Sequence, residues 1–386
     1  MKQTIVRSLA AAALLLAASC SREPDSTGPA ASEELATARI TLGLEGAVQT
    51  RGDRLDDGSY NESPRISDGT RATTLIYALY NSKGEPVQIK NPNYGKDPDA
   101  PETVQQARLT GVHFPYGDDD DEALEFSLVK GLDYTLVFWA QSENGDDFYN
   151  TADLRDIQVY YDQNNQNNEE ARDAFCVSRP LTITQDEFNI SLVLRRPFAQ
   201  INVGFPKEDY TTLESDGFRV VTSAISLLDV GNHFDLVTNK VLATEQAAIG
   251  FTANTIPHAM ELGGKPIENP YLDIDINYDS NITTLESFVW VSMCYVLVPN
   301  YANNGTEEGD SFVYSSLVHI PELTFNFNDE APFSPLVFKE INNIPVQANH
   351  RTNIIFKDVF SFKASFEVDI DAPFAGDYLS GRDTQN

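Results

Sequence analysis

Two arginines, Arg51 in VQTRGDRLDDG and Arg71 in GTRATT, flank a stretch with almost no apolar residue to bury. Arginines exposed in such a polar segment are substrates for a trypsin-like protease, which cuts where little folded structure must be opened first. The same stretch contains Arg51-Gly52-Asp53, the tripeptide that animal integrins bind, and the acids Asp53, Asp56 and Asp57 before Gly58. A calcium loop needs alternating oxygen ligands around a turn, and this spacing does not supply them. Cleavage after Arg51 would sever the integrin tripeptide, so those two readings exclude one another.

Elsewhere the reactive residue types do not assemble into a catalytic pattern. The five histidines, His113, His233, His258, His319 and His350, are scattered without a partner at short spacing. There is no H-E-x-x-H, no G-x-S-x-G and no phosphate-binding glycine loop. With 58 acids some carboxylates must lie close together, but nothing nominates a pair for glycoside hydrolysis. Asp118 to Asp121 and Glu122 form a run in which consecutive side chains cannot converge on one ion, so it reads as a solvated loop. No catalytic residue, metal site or cofactor is expected, and a binding or structural role is favoured over an enzyme. Trp139 and Trp290 could offer sugar-stacking faces. Both sit inside apolar runs, however, and core positions are the better reading.

The first residues give an address. Lys2 and Arg7 precede an apolar run from Leu9 to Ala18 that ends at Ser19-Cys20, the form of a secretory signal peptide. Its end resembles a bacterial lipobox, in which the cysteine is diacylated and becomes the new N-terminus; Cys20 is thus the expected lipid anchor. Removing residues 1–19 takes two bases and no acid, so the net charge moves from −31 to −33. Such a surface repels phosphate backbones, which excludes nucleic acid as a partner. Cys176 and Cys294 lie in strand-like apolar runs, where buried thiols act as small hydrophobes. Residues 20–35, rich in small and polar types, read as a lipidated tether. Within it Asp25-Ser26-Thr27 resembles a short acceptor motif for O-glycosylation, which makes Ser26 a candidate site.

The elements that must position these residues are almost all strands. Alternation of period two runs through ARITLGLEG (Ile40, Leu42, Leu44), DYTLVFWAQ and NISLVLRR, and recurs to the end of the chain. The best helix-period signal is a turn or two around Asn168 to Arg172. Antiparallel strands with one wet face would reconcile this polarity with a core, and they predict an all-β protein of two tandem β-sandwich domains. The boundary is placed near Phe205-Pro206-Lys207, giving domains at 36–206 and 207–375 and a polar tail at 376–386.

The C-terminal stretch carries Ile344-Pro345-Val346, Asn349, Arg351-Thr352-Asn353-Ile354 and the closing FEVDIDAPF, Phe366 to Phe374. It resembles the end of the fimbrillin family, the lipoprotein fimbrial subunits of Bacteroidales. ATTLIYALYNSKGEP, KGLDYTLVFWAQ, ARDAFCV and LRRPFAQINVG are similar to an N-terminal fimbrillin-like domain of Bacteroides lipoproteins whose function is unassigned. After Ile354 the chain departs from the family pattern of glycine and Leu-Leu, which argues against a main-shaft subunit. The resemblance implies transthyretin-like sandwiches, export to the outer membrane, removal of the first strand by an arginine-specific protease, and filling of the vacated groove by a strand of another subunit or of a second copy. Mapped onto this chain, the first strand is Ala38 to Val48 with Ile40, Leu42 and Leu44 as its buried face, and Arg51 or Arg71 is the cut. The competing expectation is a monomeric outer-membrane lipoprotein that binds a glycan or protein on a host or bacterial surface.

Overall fold

A computed structural model describes residues 34–44, 72–117, 123–161, 172–251, 288–299, 315–328, 334–357 and 365–373. The described residues from Leu35 to Pro373 form one compact unit. Its strands are β1 (Leu35–Leu44), β2 (Thr74–Asn81), β3 (Pro86–Val87), β4 (Ile89–Lys90), β5 (Thr103–Val104), β6 (Gln106–Thr110), β7 (Leu124–Val129), β8 (Asp133–Gln141), β9 (Tyr149–Asn150) and β10 (Ile157–Val159). There follow β11 (Ala174–Thr182), β12 (Glu187–Leu194), β13 (Phe198–Pro206), helix α1 (Lys207–Ser215), β14 (Val220–Asp235), β15 (Lys240–Phe251), β16 (Phe288–Leu297), β17 (Ser315–Phe327), β18 (Leu336–Gln347), β19 (His350–Lys357) and β20 (Ser365–Pro373). The protein is all-β, as the period-two alternation requires.

Three sheets carry the fold. A small outer sheet has the order β12-β1-β7. A middle sheet runs β11-β8-β2-β3, with β6 also pairing β2. A large sheet is built around β18-β17-β14-β16-β13-β19-β20, with β15 and β10 on β14 and β9 on β10.

The middle sheet separates two cores, and its residues alternate between them. Leu75, Tyr77 and Leu79 of β2, with Leu136 and Phe138 of β8, pack in the core that holds Ile40 and Phe126. Ile76, Ala78 and Tyr80, with Val137 and Trp139, belong to the core of the large sheet. Hence β2 is buried at seven successive positions and β8 at its last six. The expectation of one wet face fails for these strands: a continuous apolar run such as LIYAL is what a sheet covered on both sides demands. Trp139 and Trp290 are both core residues, with 0% and 4% exposure.

Two strand pairs depart from the antiparallel expectation. β1 runs parallel to β12 over Thr37 to Leu44, and β13 runs parallel to β19 over Gln200 to Gly204. β13, the last strand before the Pro206-Lys207 junction, lies between β16 and β19 and so shares a sheet with the chain that follows it. The predicted turn at Asn168 to Ala171 lies outside the described residues. Among those described, the single α-helix is α1, which starts after Pro206 and buries Tyr210 and Leu213 on one side. Gly204 explains how β13 and β16 approach: a Cβ there would stand 2.7 Å from the Trp290 ring and 2.9 Å from the Val289 carbonyl.

Candidate functional site

The residues assigned to the removable first strand converge on one feature, the central position of β1 in the outer sheet. Ala36, Ala38, Ile40, Leu42 and Leu44 alternate inward and are buried against the middle sheet. Burial of Ile40, Leu42 and Leu44 contributes on the order of 6 kcal/mol. The strand begins at Leu35, three residues before the expected Ala38, and the expected end at Val48 lies outside the described residues. Ala36 and Ala38 explain the earlier start, since each is buried yet adds little apolar signal to the sequence.

Both edges of β1 are occupied. On one side its register with β12 pairs Ile40 with Ile190, Leu42 with Leu192 and Leu44 with Leu194. On the other it pairs antiparallel with β7 from Leu35 through Ile40. Where β7 ends, Tyr116 takes over: its amide donates to the Leu42 carbonyl at 2.8 Å, and the Leu42 amide donates to the Tyr116 carbonyl at 2.9 Å. Gly117, at φ +82°, permits this contact, because a Cβ there would lie 3.2 Å from the Ile40 carbonyl oxygen. The outward face is polar. Thr41 donates to Ser191 Oγ at 2.8 Å, and Arg39 pairs with Glu125 at 3.0 Å with both side chains about half exposed.

The processing candidates Arg51 and Arg71, the lipidation site Cys20 and the glycosylation candidate Ser26 lie outside the described residues, as do His258 and the acidic run Asp118 to Glu122. Ala72, next to Arg71, is described and is 2% exposed. The following Thr73 carbonyl accepts the Val112 amide at 3.0 Å. Among the described histidines, His233 pairs with Asp156 at 2.6 Å and His319 with Glu340 at 3.3 Å. No cluster that could hold a metal occurs among the described residues. No helix among them is long and apolar enough to cross a membrane. Cys176 and Cys294 are both buried and in no disulfide. Burial pushes the Cys294 thiol up to about 12, although the nearby Arg172 charge and a hydrogen bond to Ile201 oppose the rise.

A second constellation escaped sequence reasoning. Asp173 of ARDAFCV, Arg196 of LRRPFAQINVG and Asn349 of the C-terminal stretch meet in the interior. Arg196 Nε and Nη2 donate to the two Asp173 carboxylate oxygens at 2.6 and 2.8 Å, and Nη1 donates to Asn349 Oδ1 at 2.8 Å. Its guanidinium also lies over the Phe175 ring at 4.4 Å. Asn349, at φ +60°, closes the turn between β18 and β19 and donates its amide to the Phe198 carbonyl at 2.8 Å. Nearby, Asn202 Nδ2 donates to Asn353 Oδ1 at 2.9 Å, linking β13 to its parallel neighbour β19. The signal that could have exposed this group is the presence of charged and amide residues inside apolar strand runs, where each must find a partner.

The chain belongs to a family of unknown function, DUF6562, whose model matches residues 38–386. No functionally curated protein matches it. Among solved structures, it is similar to a candidate cell adhesion protein from Bacteroides uniformis at 9% identity and a TM-score of 0.43, covering 88% of this chain and 99% of that one. It is similar to the tip fimbrial protein Mfa3 from Porphyromonas gingivalis, with a C-terminal truncation, at 11% identity and a TM-score of 0.41, covering 87% and 99%. A third similarity, at 9% identity and a TM-score of 0.39, is to candidate polysaccharide binding proteins from Bacteroides thetaiotaomicron, covering 83% and 91%.

Proposed function

We propose that this chain is a surface-exposed, fimbrillin-like lipoprotein, anchored at Cys20 to the outer membrane, that serves as a structural or adhesive fimbrial subunit after its first strand is removed. The observation that carries the reading is the place of β1. A strand in the middle of a three-stranded sheet, held by backbone bonds on both edges and an apolar face, leaves on departure two unpaired strand edges and a trough. Such a trough accepts any incoming strand with matching alternation, which satisfies backbone groups and apolar surface together. Repetition from subunit to subunit makes a filament, because the contact is head-to-tail.

Of the two candidate cuts, Arg51 is favoured. A protease must draw several residues on each side of the scissile bond into its cleft, and the buried Ala72 with the bonded Thr73 resists this next to Arg71. Mild trypsin treatment of the purified precursor, followed by N-terminal sequencing and size-exclusion chromatography, tests the reading. The expected result is a new N-terminus after one of the arginines of residues 51–71, loss of the β1 fragment, and formation of oligomers that added Leu35–Val48 peptide suppresses. General degradation in place of one cut, or a cut product that stays monomeric, overturns it.

A further inference from the structure

The molecule has a second surface that strand removal leaves unused. Where the edge strand β6 of the middle sheet meets the chain around β9 and β10, a cleft of about 400 Å³ opens over Ile76. That volume lies in the range of about 300–1,000 Å³ typical of small-molecule sites.

The polar groups in the cleft are fixed in place. Arg108 and Asp146 form a two-pronged pair, with Nη1 to Oδ1 at 3.0 Å and Nη2 to Oδ2 at 2.8 Å. Asp146 Oδ1 also accepts Gln141 Nε2 at 2.8 Å, and the fully buried Gln141 in turn accepts the Trp139 indole N–H at 2.8 Å. A chain of bonds thus runs from the core to the cleft and holds the carboxylate in one orientation. Gln106 donates to the Thr151 carbonyl at 2.8 Å, and Asn150 Oδ1 accepts the Ala152 amide at 3.1 Å. That leaves the Gln106 amide oxygen and the Asn150 amide nitrogen as an acceptor and a donor not bonded to other described residues. Tyr160, half-buried, supplies an aromatic ring to the lining.

We infer that this cleft binds a neutral oligosaccharide. Planar amide, guanidinium and carboxylate groups held rigid match the vicinal hydroxyls of a sugar, and an aromatic ring covers its apolar face. The ion pair in the cleft is internally neutral. The whole chain carries a net charge of −31, so sulfated or sialylated ligands are repelled. The inference rests on the adhesive part of the proposed function and not on strand removal, since no residue of β1 lines the cleft.

The test uses the full chain with β1 in place, carrying Cys20→Ala so that no lipid is attached, on an array of immobilised neutral, sialylated and sulfated oligosaccharides. Retention on neutral oligosaccharides is expected, with affinity reduced about tenfold or more by Asn150→Ala and by Tyr160→Ala. Ala152→Trp, which adds bulk at an exposed position and deletes no contact, is expected to abolish retention at an unchanged melting temperature, and it keeps the test valid if either alanine variant fails to fold. No retention on neutral oligosaccharides, binding confined to the anionic ones, or retention indifferent to all three substitutions overturns the inference. None of those results touches strand removal, and failure of the trypsin test leaves the cleft intact.

Discussion

The outer sheet around β1 and the buried group around Arg196 are held by opposite kinds of interaction. β1 contributes an alternating apolar face, backbone bonds on both edges and an exposed ion pair, all of which another strand of similar pattern could supply. Arg196 is bound through three hydrogen bonds of fixed geometry, two to the Asp173 carboxylate and one to the Asn349 amide oxygen. Generic contacts make a strand exchangeable; specific ones fix the body that must survive the exchange. Asp173 and Arg196 lie before Pro206 and Asn349 after it, so this group ties the two portions of chain together.

The largest expected effect comes from breaking the specific region. Arg196→Ala leaves the Asp173 carboxylate buried without its cation, at 3% exposure, and is expected to destabilise the fold by about 3–5 kcal/mol. Urea unfolding followed by tryptophan fluorescence measures it. A loss below about 1 kcal/mol would show that Arg196 is not such a tie.

Leu42→Asp attacks the generic region instead. A carboxylate facing the buried side of the outer sheet disfavours seating of β1 by about 3 kcal/mol, while the core of the large sheet contains no β1 residue and should persist. Limited proteolysis should therefore remove β1 faster than in the parent chain and leave the remainder resistant. If the whole chain is digested together, the two regions are one cooperative unit and the contrast fails.

The thiols sharpen the contrast further. Cys176 and Cys294 both belong to the core on the far side of the middle sheet from β1. With the Cys294 thiol pushed up from 9.0 to about 12, its thiolate fraction at neutral pH falls about a thousandfold, and reaction with Ellman's reagent slows accordingly. Withdrawal of β1 alone should leave both thiols silent, whereas denaturant should release both. Reactivity on mild trypsin cleavage would mean that the large sheet opens when β1 leaves.

Much of the outer sheet was readable from residue types. The alternation of Ile40, Leu42 and Leu44 identifies the strand and its buried face, because side chains on a strand must alternate. Its partner was not readable: β12 lies 150 residues away at Thr41 and Ser191, and a parallel pairing carries no turn signal. The continuous apolar runs of β2 and β8, such as LVFWA, mark strands covered on both faces, but which sheets cover them depends on contacts distant in sequence that residue types do not show. Helix α1 escaped notice because only Tyr210 and Leu213 mark its inner side. Arg196, Asp173 and Asn349 were visible only as motif positions. Their separations of 23 and 153 residues conceal that one guanidinium joins them.

The smallest effect tests whether anything on the outer face of β1 is specific. Arg39 and Glu125 face each other across β1 and β7 at 3.0 Å, with side-chain exposures of 48% and 54%. A pair so exposed is screened by solvent and salt and is worth about 0.5 kcal/mol. Arg39→Ala should thus lower stability by that small amount in low salt and by less still in 0.5 M salt, with no change in the rate at which β1 is lost beyond about twofold. A substantially larger, salt-resistant loss would make Arg39 a selective contact. The trough would then discriminate among incoming strands by charge opposite Glu125, and β1 would no longer be replaceable by alternation alone.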